Sequence, residues 1–356
     1  MNLLWIDEHI LDYRAELVTA IASRVEHLTL VAGVIGGDVL KCVDDLPNVR
    51  VLGSSDSVGA SDPRIVSPDS VMRLRRRTYS SLRGMSLLAA GQVDSVLLGN
   101  MGLSLPGLAA ARSLGSVKLV VWARLSEHTE AGVSRARTAY RRTFAQVPDA
   151  WLVNGQSGRR YVNSLNVDPG IIQILPQAPP NLPRMVCQRE RAVLYVGRLV
   201  EGKGVEDLLA SQMKAQFPLT VVGGGPLSGL VRQREGRGVR YLGWLSAEAL
   251  AREYARHRAL AFPSHKDEWG LVALESLRLG TPVVGSPYSQ AVAELVIDGS
   301  NGWVVHPDDH RAMCDRLLSV LDMDPVEFAG MSQRAVASVA GITTEEMANT
   351  MLASLG

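Results

Sequence analysis

Short, continuous apolar runs alternate with longer segments of mixed polarity along the whole chain. Runs of this kind are typical of strands that are buried on both faces of a parallel sheet. The runs are residues 3–6, 28–33, 49–53, 95–99, 118–123 and 150–154 in the first half, and 192–197, 219–223, 239–243, 259–264, 282–285 and 302–305 in the second. Helix-length segments, among them 9–24, 69–90 and 131–146, separate several of them. The alternation predicts an α/β fold with doubly wound parallel sheets.

Four prolines within residues 175–184 interrupt this pattern. Because proline-rich segments end helices and strands, they mark a linker between two domains. We therefore predict a first domain over residues 1–178, a linker over 179–191, a second domain over 192–340 and a closing helix over 341–356. In such sheets ligands bind beyond the carboxyl ends of the strands, so the loops there should carry the chemistry.

Composition narrows the class of protein only a little. The 356 residues have a formal net charge of +1, which gives no reason to expect a nucleic-acid partner. Residues 1–180 contain 19 basic against 16 acidic side chains, a weak indication of an anionic or membrane-associated partner. The basic cluster RLRRR at 73–77 is an alternative phosphate or lipid contact, although a solvated helix face is the commoner case.

Three widely spaced cysteines indicate a reducing compartment. Cys42, Cys187 and Cys314 show no CxxC spacing, so we expect neither a disulfide framework nor a zinc site. The first nine residues lack the basic start of a signal peptide. The most apolar stretch, 98–123, is interrupted by proline and two basic residues and predicts no membrane span. A cytoplasmic location, with contact at the inner face of a membrane left open, is the expectation.

The segment GRLVEGKG, residues 197–204, nearly fits a phosphate-binding P-loop. Gly204 stands where that motif needs a serine or threonine hydroxyl for magnesium, so a P-loop is not predicted. What remains is Arg198 at a strand end and Lys203 just before a helix, a combination that suits a diphosphate. The alternative is that Arg198 and Lys203 are a solvated loop pair.

The segment VVGGGPL, residues 221–227, has the form of a tight strand-to-helix turn. It lacks the third glycine and the acidic residue of a dinucleotide fingerprint. It therefore predicts a turn, around Gly224, whose backbone can approach a ligand.

Residues 262–286 combine a strand end, a polar loop and a helix. The helix should begin near Gly270, and Asp267 and Glu275 can then address one pocket at its amino-terminal end, with the amides of 270–272. A carboxylate suits a ribose diol because it can accept two hydroxyl hydrogen bonds. The alternative is that Glu275 is an ordinary acid on a helix surface.

A set of segments in this order and spacing resembles the second domain of retaining glycosyltransferase family 4. The segments are VLYVGRLVEGKGVEDLL, LTVVGGGPL, VRYLGWLS, AFPSHKDEWGLVALESLRLGTPVV and AELVIDGSNGWVV, all within about residues 190 to 306. The first domain resembles the family only loosely, in rhythm and in DYRAELVTAIA. The resemblance implies the GT-B fold, in which two Rossmann-like doubly wound domains face a central cleft.

The resemblance also implies roles for residues of the second domain. Arg198 and Lys203 stand where the family binds the donor diphosphate, together with the helix start at Gly270 and Leu271. Glu275 matches the second acid of the E-x7-E motif, at the nucleotide ribose. Gly224 and Leu242 fall beside the ribose and base.

The first acid of that motif is Asp267, which lies by the transferred sugar in the family. Aspartate is one methylene shorter than the usual glutamate, and Glu268 can partly take its place.

In the first domain, many family members place a histidine after the strand that faces the donor sugar. Arg124 and His128 are the candidates here. The family's usual glycine-rich first loop is missing here, and LLWIDEHILDYR puts bulky and charged groups in its place. Asp7, His9 and Arg14 are candidates for contact with the acceptor, or they cap and pack the first helix together with Tyr13.

The resemblance implies that the protein transfers a sugar from a nucleoside diphosphate sugar to an acceptor hydroxyl, without a metal ion. The sugar nucleotide is then a co-substrate, and no cofactor is expected. The motif DMD at 322–324 lies between predicted helices, away from any strand end, and is not expected to bind metal. A lipid-linked sugar, a polysaccharide and a small metabolite remain open as acceptors. The alternatives are another GT-B activity, such as a sugar-nucleotide epimerase or phosphorylase, and a non-catalytic sugar-nucleotide-binding protein.

Overall fold

The computed structural model describes residues 1–53, 86–88, 91, 93–102, 104–112 and 117–356. The chain divides into two compact units. The first unit contains residues 1–177 and 344–356, and the second contains residues 178–343. The basic cluster at 73–77 and most of the helix predicted over 69–90 lie outside the described residues.

The first unit is built on a parallel sheet in the order β3-β2-β1-β4-β5-β6-β7. Its strands are β1 (Asn2–Ile10), β2 (His27–Ile35), β3 (Val49–Gly53), β4 (Ser95–Leu98), β5 (Lys118–Ala123), β6 (Ala150–Val153) and β7 (Ile172–Ile174). Each apolar run of the first half forms a strand, as predicted. β7 was not predicted, because its three residues are too few to show a pattern.

The predicted helix over 9–24 is wrong at its start. β1 continues to Ile10, which pairs with Ile35 of β2, so residues 9 and 10 belong to the sheet. A 3₁₀ turn then leads into helix α1. Between residues 1 and 177 this unit contains the helices α1 (Ala15–Ala22), α2 (Gly37–Asp44), α3 (Ser104–Arg112), α4 (Arg135–Phe144) and α5 (Gln156–Asn163).

The second unit has a parallel sheet in the order β10-β9-β8-β11-β12-β13. The strands are β8 (Glu190–Val196), β9 (Leu219–Val222), β10 (Val239–Gly243), β11 (His257–Phe262), β12 (Val283–Gly285) and β13 (Gly302–Val304). The helices are α6 (Val205–Ala215), α7 (Ser228–Arg232), α8 (Ala247–Arg256), α9 (Leu271–Arg278), α10 (Gln290–Leu295), α11 (His310–Asp322) and α12 (Pro325–Ser338). All six strands predicted for this half are present.

In each sheet the strand order reverses once, between β1 and β4 in the first unit and between β8 and β11 in the second. At such a reversal the loops after the two central strands diverge to opposite faces, which leaves a crevice beyond their carboxyl ends. Each unit therefore has one place where a ligand crevice is expected. None of the described helices is both long and apolar enough to cross a membrane.

The last helix, α13 (Thr344–Leu355), belongs to the first unit. Ser95 at the start of β4 donates a hydrogen bond to the Leu355 carbonyl over 2.9 Å, and Ser354 donates to Gln173 over 2.9 Å. Met351 is fully buried. The final residues thus complete the apolar packing of a domain that begins at residue 1.

We expect Met351→Ala to destabilise the first unit by about 2–5 kcal/mol, because a buried side chain is replaced by a cavity. Hydrogen exchange should accelerate in α1 and β4. The matched variant is Met331→Ala, which empties a similarly buried position in α12 of the second unit and should accelerate exchange there. Acceleration confined to the second unit in Met351→Ala would contradict the assignment of α13.

Candidate active site

The loop after β8 packs directly on the segment after β11. Gly204 has a φ of 73°, and a Cβ atom there would lie 2.1 Å from the Pro263 carbonyl oxygen. The backbone amide of His265 also donates to the Gly202 carbonyl over 2.9 Å. These contacts join the carboxyl ends of the two central strands at the reversal of strand order.

Lys203 and Asp267 meet across this junction. Lys203 Nζ donates to Asp267 Oδ2 over 2.5 Å and to the Lys266 carbonyl over 3.1 Å. The Trp269 amide donates to Asp267 Oδ1 over 3.2 Å, so both oxygens of the carboxylate are bonded. The two side chains are 21% and 16% exposed, so the pair remains reachable from solvent.

Arg198 follows β8 and is exposed at the same edge. The loop that carries it is secured by Tyr195, whose hydroxyl lies 3.4 Å from the Arg198 carbonyl and 3.3 Å from the Lys203 carbonyl. Burial raises the pKa of Tyr195, and the nearby Asp267 carboxylate adds to this. The phenol therefore stays protonated as a donor. Arg198 and Lys203 thus lie on the one loop that follows β8.

Helix α9 begins directly after Gly270, as predicted from the sequence. Gly270 has a φ of 106°, and a Cβ atom there would lie 2.3 Å from Ser289 Oγ. The amides of Leu271 and Val272 lie in the first turn, where no earlier carbonyl of the helix can accept from them. Such amides, together with the positive end of the helix dipole, favour an anion. Glu268 is exposed just before this turn.

Glu275 lies in the second turn of α9 and is buried, with 8% of its surface exposed. The Tyr254 hydroxyl of α8 donates to Glu275 Oε2 over 2.7 Å. Burial raises the pKa of Glu275 from 4.5 to about 7, while the Tyr254 hydrogen bond and the Arg278 charge act in the opposite direction. Glu275 is therefore not an ordinary acid on a helix surface.

The turn after β9 packs against an aromatic residue. A Cβ atom at Gly224 would lie 2.4 Å from Trp244 Nε1, and Trp244 is 55% exposed just after β10. Leu242 packs against the apolar core of the unit, so its backbone rather than its side chain is available at this edge. Gly224 and the exposed Trp244 together form one surface at the carboxyl ends of β9 and β10.

In the first unit, the predicted acceptor-side residues form a buried ion-pair network. Asp7 Oδ2 accepts from Arg14 over 2.7 Å, and Asp7 Oδ1 accepts from Arg124 over 2.8 Å. Asp7 and Arg14 are each 2% exposed. A Cβ atom at Gly99 would lie 2.1 Å from Asp7 Oδ2, so the network fills the reversal of strand order in this sheet. The ion pairs explain why Asp7 and Arg14 are buried in this unit. Contact of these residues with an acceptor stays a prediction.

Arg124 lies at the edge of this network. Its Nη2 also donates to the Gly99 carbonyl over 2.8 Å, and its guanidinium lies 5.2 Å from the centre of the Trp122 ring. His9 donates its backbone amide to Asp7, and its carbonyl accepts from Arg14 over 3.0 Å. His128 lies half-buried in the turn that follows, four residues after Arg124. The structure fixes the orientation of Arg124 and leaves the proposed roles of Arg124, His9 and His128 as predictions.

Comparison with known proteins identifies the second unit. Residues 190–323 match the family described as glycosyl transferases group 1. This region is similar to the domain of group 1 glycosyltransferases. A similar protein is the glycogen synthase of Mycobacterium tuberculosis, 34% identical over 163 residues, which are 43% of this chain and 38% of that protein. The chain spans less than half the length of the curated relatives it matches.

Solved structures show that the fold extends over both units. Anabaena Alr3699/HepE in complex with UDP has a TM-score of 0.75 and 16% identity, covering 100% of this chain and 99% of that one. Sucrose-phosphate synthase from Thermosynechococcus elongatus has a TM-score of 0.76 and 19% identity, covering 99% and 98%. The chain has the GT-B fold of glycosyltransferases, as predicted.

Two residues of the glycosyltransferase domain were missed by the sequence analysis. Tyr254 lies 21 positions before its partner Glu275, and the sequence shows no spacing that links them. Trp244 follows the strand glycine in VRYLGW, and an aromatic residue directly after a predicted strand end was a usable signal. Both complete the surroundings of residues that had been predicted.

The DMD motif has a structural explanation. Asp322 pairs with Arg191 over 2.6 Å, and Asp324 caps α12 by accepting from the amides of Val326 and Glu327. Among the residues that the structure describes, no group of three or more His, Cys, Asp or Glu side chains is arranged to hold a metal ion. Cys42, Cys187 and Cys314 all lie in the described part, and each is a free thiol.

We expect the free energy of unfolding of Glu275→Gln, relative to that of the wild type, to increase as the pH rises from 5 to 8. A carboxyl whose folded pKa is raised contributes stability that is complete below its unfolded value, 4.5, and is lost as the pH passes about 7. This loss of unfolding free energy amounts to at most about 3 kcal/mol in the wild type. It is absent in the variant because glutamine does not ionise. Urea denaturation at both pH values measures the difference. Glu327→Gln, at an exposed position of α12, is the control and should show no such trend.

Proposed function

We propose that this chain is a retaining, metal-independent glycosyltransferase of family 4 that moves a sugar, of the hexose type, from a nucleoside diphosphate to an acceptor hydroxyl. The observation that carries the proposal is the pairing of Lys203 with Asp267 at the reversal of strand order in the second unit, directly before the helix that contains the buried Glu275. A cation, a helix terminus and two carboxylates are the groups that a nucleotide sugar requires.

The leaving diphosphate would be stabilised by fixed positive groups. As the bond to the sugar carbon breaks, negative charge develops on the phosphate oxygens, which Lys203, Arg198 and the first-turn amides of α9 can offset. The Lys203–Asp267 pair keeps contact with solvent, so a diphosphate can reach the lysine and compete with the carboxylate for it. Asp267 thus holds Lys203 in place until a donor arrives.

The sugar carbon develops positive charge in the same step. A carboxylate close to it lowers the energy of an oxocarbenium-like transition state. Asp267, released from Lys203, and the exposed Glu268 are the groups of this loop that can supply the charge. The acceptor hydroxyl would attack from the face that the leaving group vacates, which gives retention.

The nucleoside would lie between α9 and the surface formed by Gly224 and Trp244. Glu275 would accept from the ribose hydroxyls, and the indole would stack on the base. A structural neighbour is in complex with UDP, which makes UDP the first probe. The cytoplasmic location and contact with a membrane stay predictions.

UDP should stabilise the purified protein against heat in EDTA as much as in magnesium, because the charges that hold the diphosphate belong to the protein. A ligand that binds only the folded state raises the melting temperature, and the rise grows with the logarithm of the ligand concentration divided by its dissociation constant. We expect Lys203→Ala to lose most of this shift and also sugar transfer.

Lys214→Ala removes an exposed lysine of α6 and should behave as wild type. GDP, dTDP and ADP are tested in parallel, since the base is not fixed by the site. A shift that requires magnesium, or one that Lys203→Ala retains in full, would contradict the proposed diphosphate site. Binding without transfer or donor hydrolysis would favour a non-catalytic protein.

Trp244→Ala should weaken UDP binding roughly 5- to 150-fold, because stacking of a base on an aromatic ring is worth about 1–3 kcal/mol. Trp244→Phe should retain most of the affinity. Titration calorimetry gives the dissociation constants, and quenching of tryptophan fluorescence by UDP should disappear in both variants. Unchanged affinity in Trp244→Ala would place the base elsewhere.

A further inference from the structure

Tyr254 and Glu275 form a buried hydrogen-bonded pair between helices α8 and α9. Tyr254 has no exposed surface, and its ring packs in the apolar core with Ala273, Leu274 and Leu277 of α9. Its hydroxyl is 2.7 Å from Glu275 Oε2 and 3.5 Å from the Val272 carbonyl, so the single proton goes to the carboxyl oxygen. The ring cannot turn away without opening the core.

The two oxygens of Glu275 are therefore not equivalent. Oε2 is held by Tyr254, and within the described chain no backbone or side-chain group donates to Oε1. The residue keeps 8% of its surface exposed. When the carboxyl is neutral, a proton on Oε1 leaves the 2.7 Å bond from the phenol to Oε2 intact.

Few charged groups act on this carboxyl. Arg278, one turn later in the same helix, is the charged group that does, and the neutral hydroxyl of Tyr254 from α8 is the hydrogen-bond donor; both favour the ionised form. The neighbouring elements α10, α12, β11 and β12 add no charge that acts on it. Burial opposes both groups and dominates, which raises the pKa of Glu275 to about 7.

We propose that Glu275 carries a proton on Oε1 in the ligand-free protein and releases it when the ribose diol of a nucleoside diphosphate binds, and that Tyr254 is the positioning residue that directs Oε1 toward the diol. The inference rests on the proposed function. The O–H bond of the carboxylic acid breaks, the proton passes to solvent, and the carboxylate then accepts from the two ribose hydroxyls. Three donors on one carboxylate favour its charged form.

The affinity for a nucleotide should therefore depend on pH through the ionisation of Glu275. Below pH 7 the ligand must displace a proton, so affinity for UDP should be about tenfold weaker at pH 6 than at pH 8. Calorimetry in paired buffers of different ionisation enthalpy should show close to one proton released at pH 6 and almost none at pH 8.5. The phosphates of UDP also titrate, so UDP is compared with 2′,3′-dideoxyuridine diphosphate. The latter has the same phosphates without the diol, and it should release fewer protons at pH 6.

Tyr254→Phe keeps the ring and removes the donor. The ionised form of Glu275 then loses a hydrogen bond, which raises the pKa of the carboxyl further. The decrease in proton release should therefore occur at a higher pH than in the wild type. Glu275→Gln should abolish the difference between the two nucleotides. Tyr140→Phe is the control, since it removes a hydroxyl with a similar 2.7 Å bond, to Gly102, in the first unit. It should leave the pH profile unchanged.

Equal proton release with UDP and its dideoxy form would overturn the inference, as would an unshifted profile in a folded Tyr254→Phe protein. Either result is compatible with the proposed transferase, provided that UDP still binds in EDTA and transfer is observed. Failure of UDP, GDP, dTDP and ADP to bind at any pH would overturn both.

Discussion

The second unit depends on one close approach of backbone to backbone. The Pro263 carbonyl oxygen lies where a side chain on residue 204 would begin, and the loops after β8 and β11 can meet only because that position is glycine. The contact brings Lys203 within 2.5 Å of Asp267, although the two residues are 64 positions apart. The proposed binding of a diphosphate follows from this contact, because Asp267 holds the Lys203 ammonium group at the ends of the two central strands.

Each unit has a buried carboxyl group near the reversal of strand order in its sheet. The two carboxyl groups have different kinds of hydrogen-bond partner. Asp7 is bonded to the guanidinium groups of Arg14 and Arg124, so its charge is balanced within the protein. Glu275 has a phenol as its hydrogen-bond partner, which donates a bond but no charge. Removing one partner of a buried ion pair is costly, whereas a singly hydrogen-bonded carboxyl can still take further donors. The first carboxylate is suited to holding structure and the second to meeting a ligand.

Strands and strand-end motifs could be predicted from the sequence because both are local. Apolar runs gave twelve of the thirteen strands of the described chain, and GRLVEGKG and HKDEWG placed Lys203, Asp267 and Gly270 at strand ends. What failed depended on contacts between distant segments. The continuation of β1 to Ile10 depends on pairing with β2, and the Asp7–Arg124 bond spans 117 positions. Tyr254 has no periodic relation to Glu275, so only the packing of α8 on α9 shows it.

The membership of α13 in the first unit has a consequence for synthesis of the chain on the ribosome. The first 177 residues emerge without the helix that covers part of their sheet, while the second unit, 178–343, is complete before α13 is made. Domains generally fold as units during translation, the amino-terminal one first. In this chain that order is inverted: the amino-terminal domain reaches its final packing last, and until then the surface that receives Met351 and Leu355 is open to chaperones or to another nascent chain.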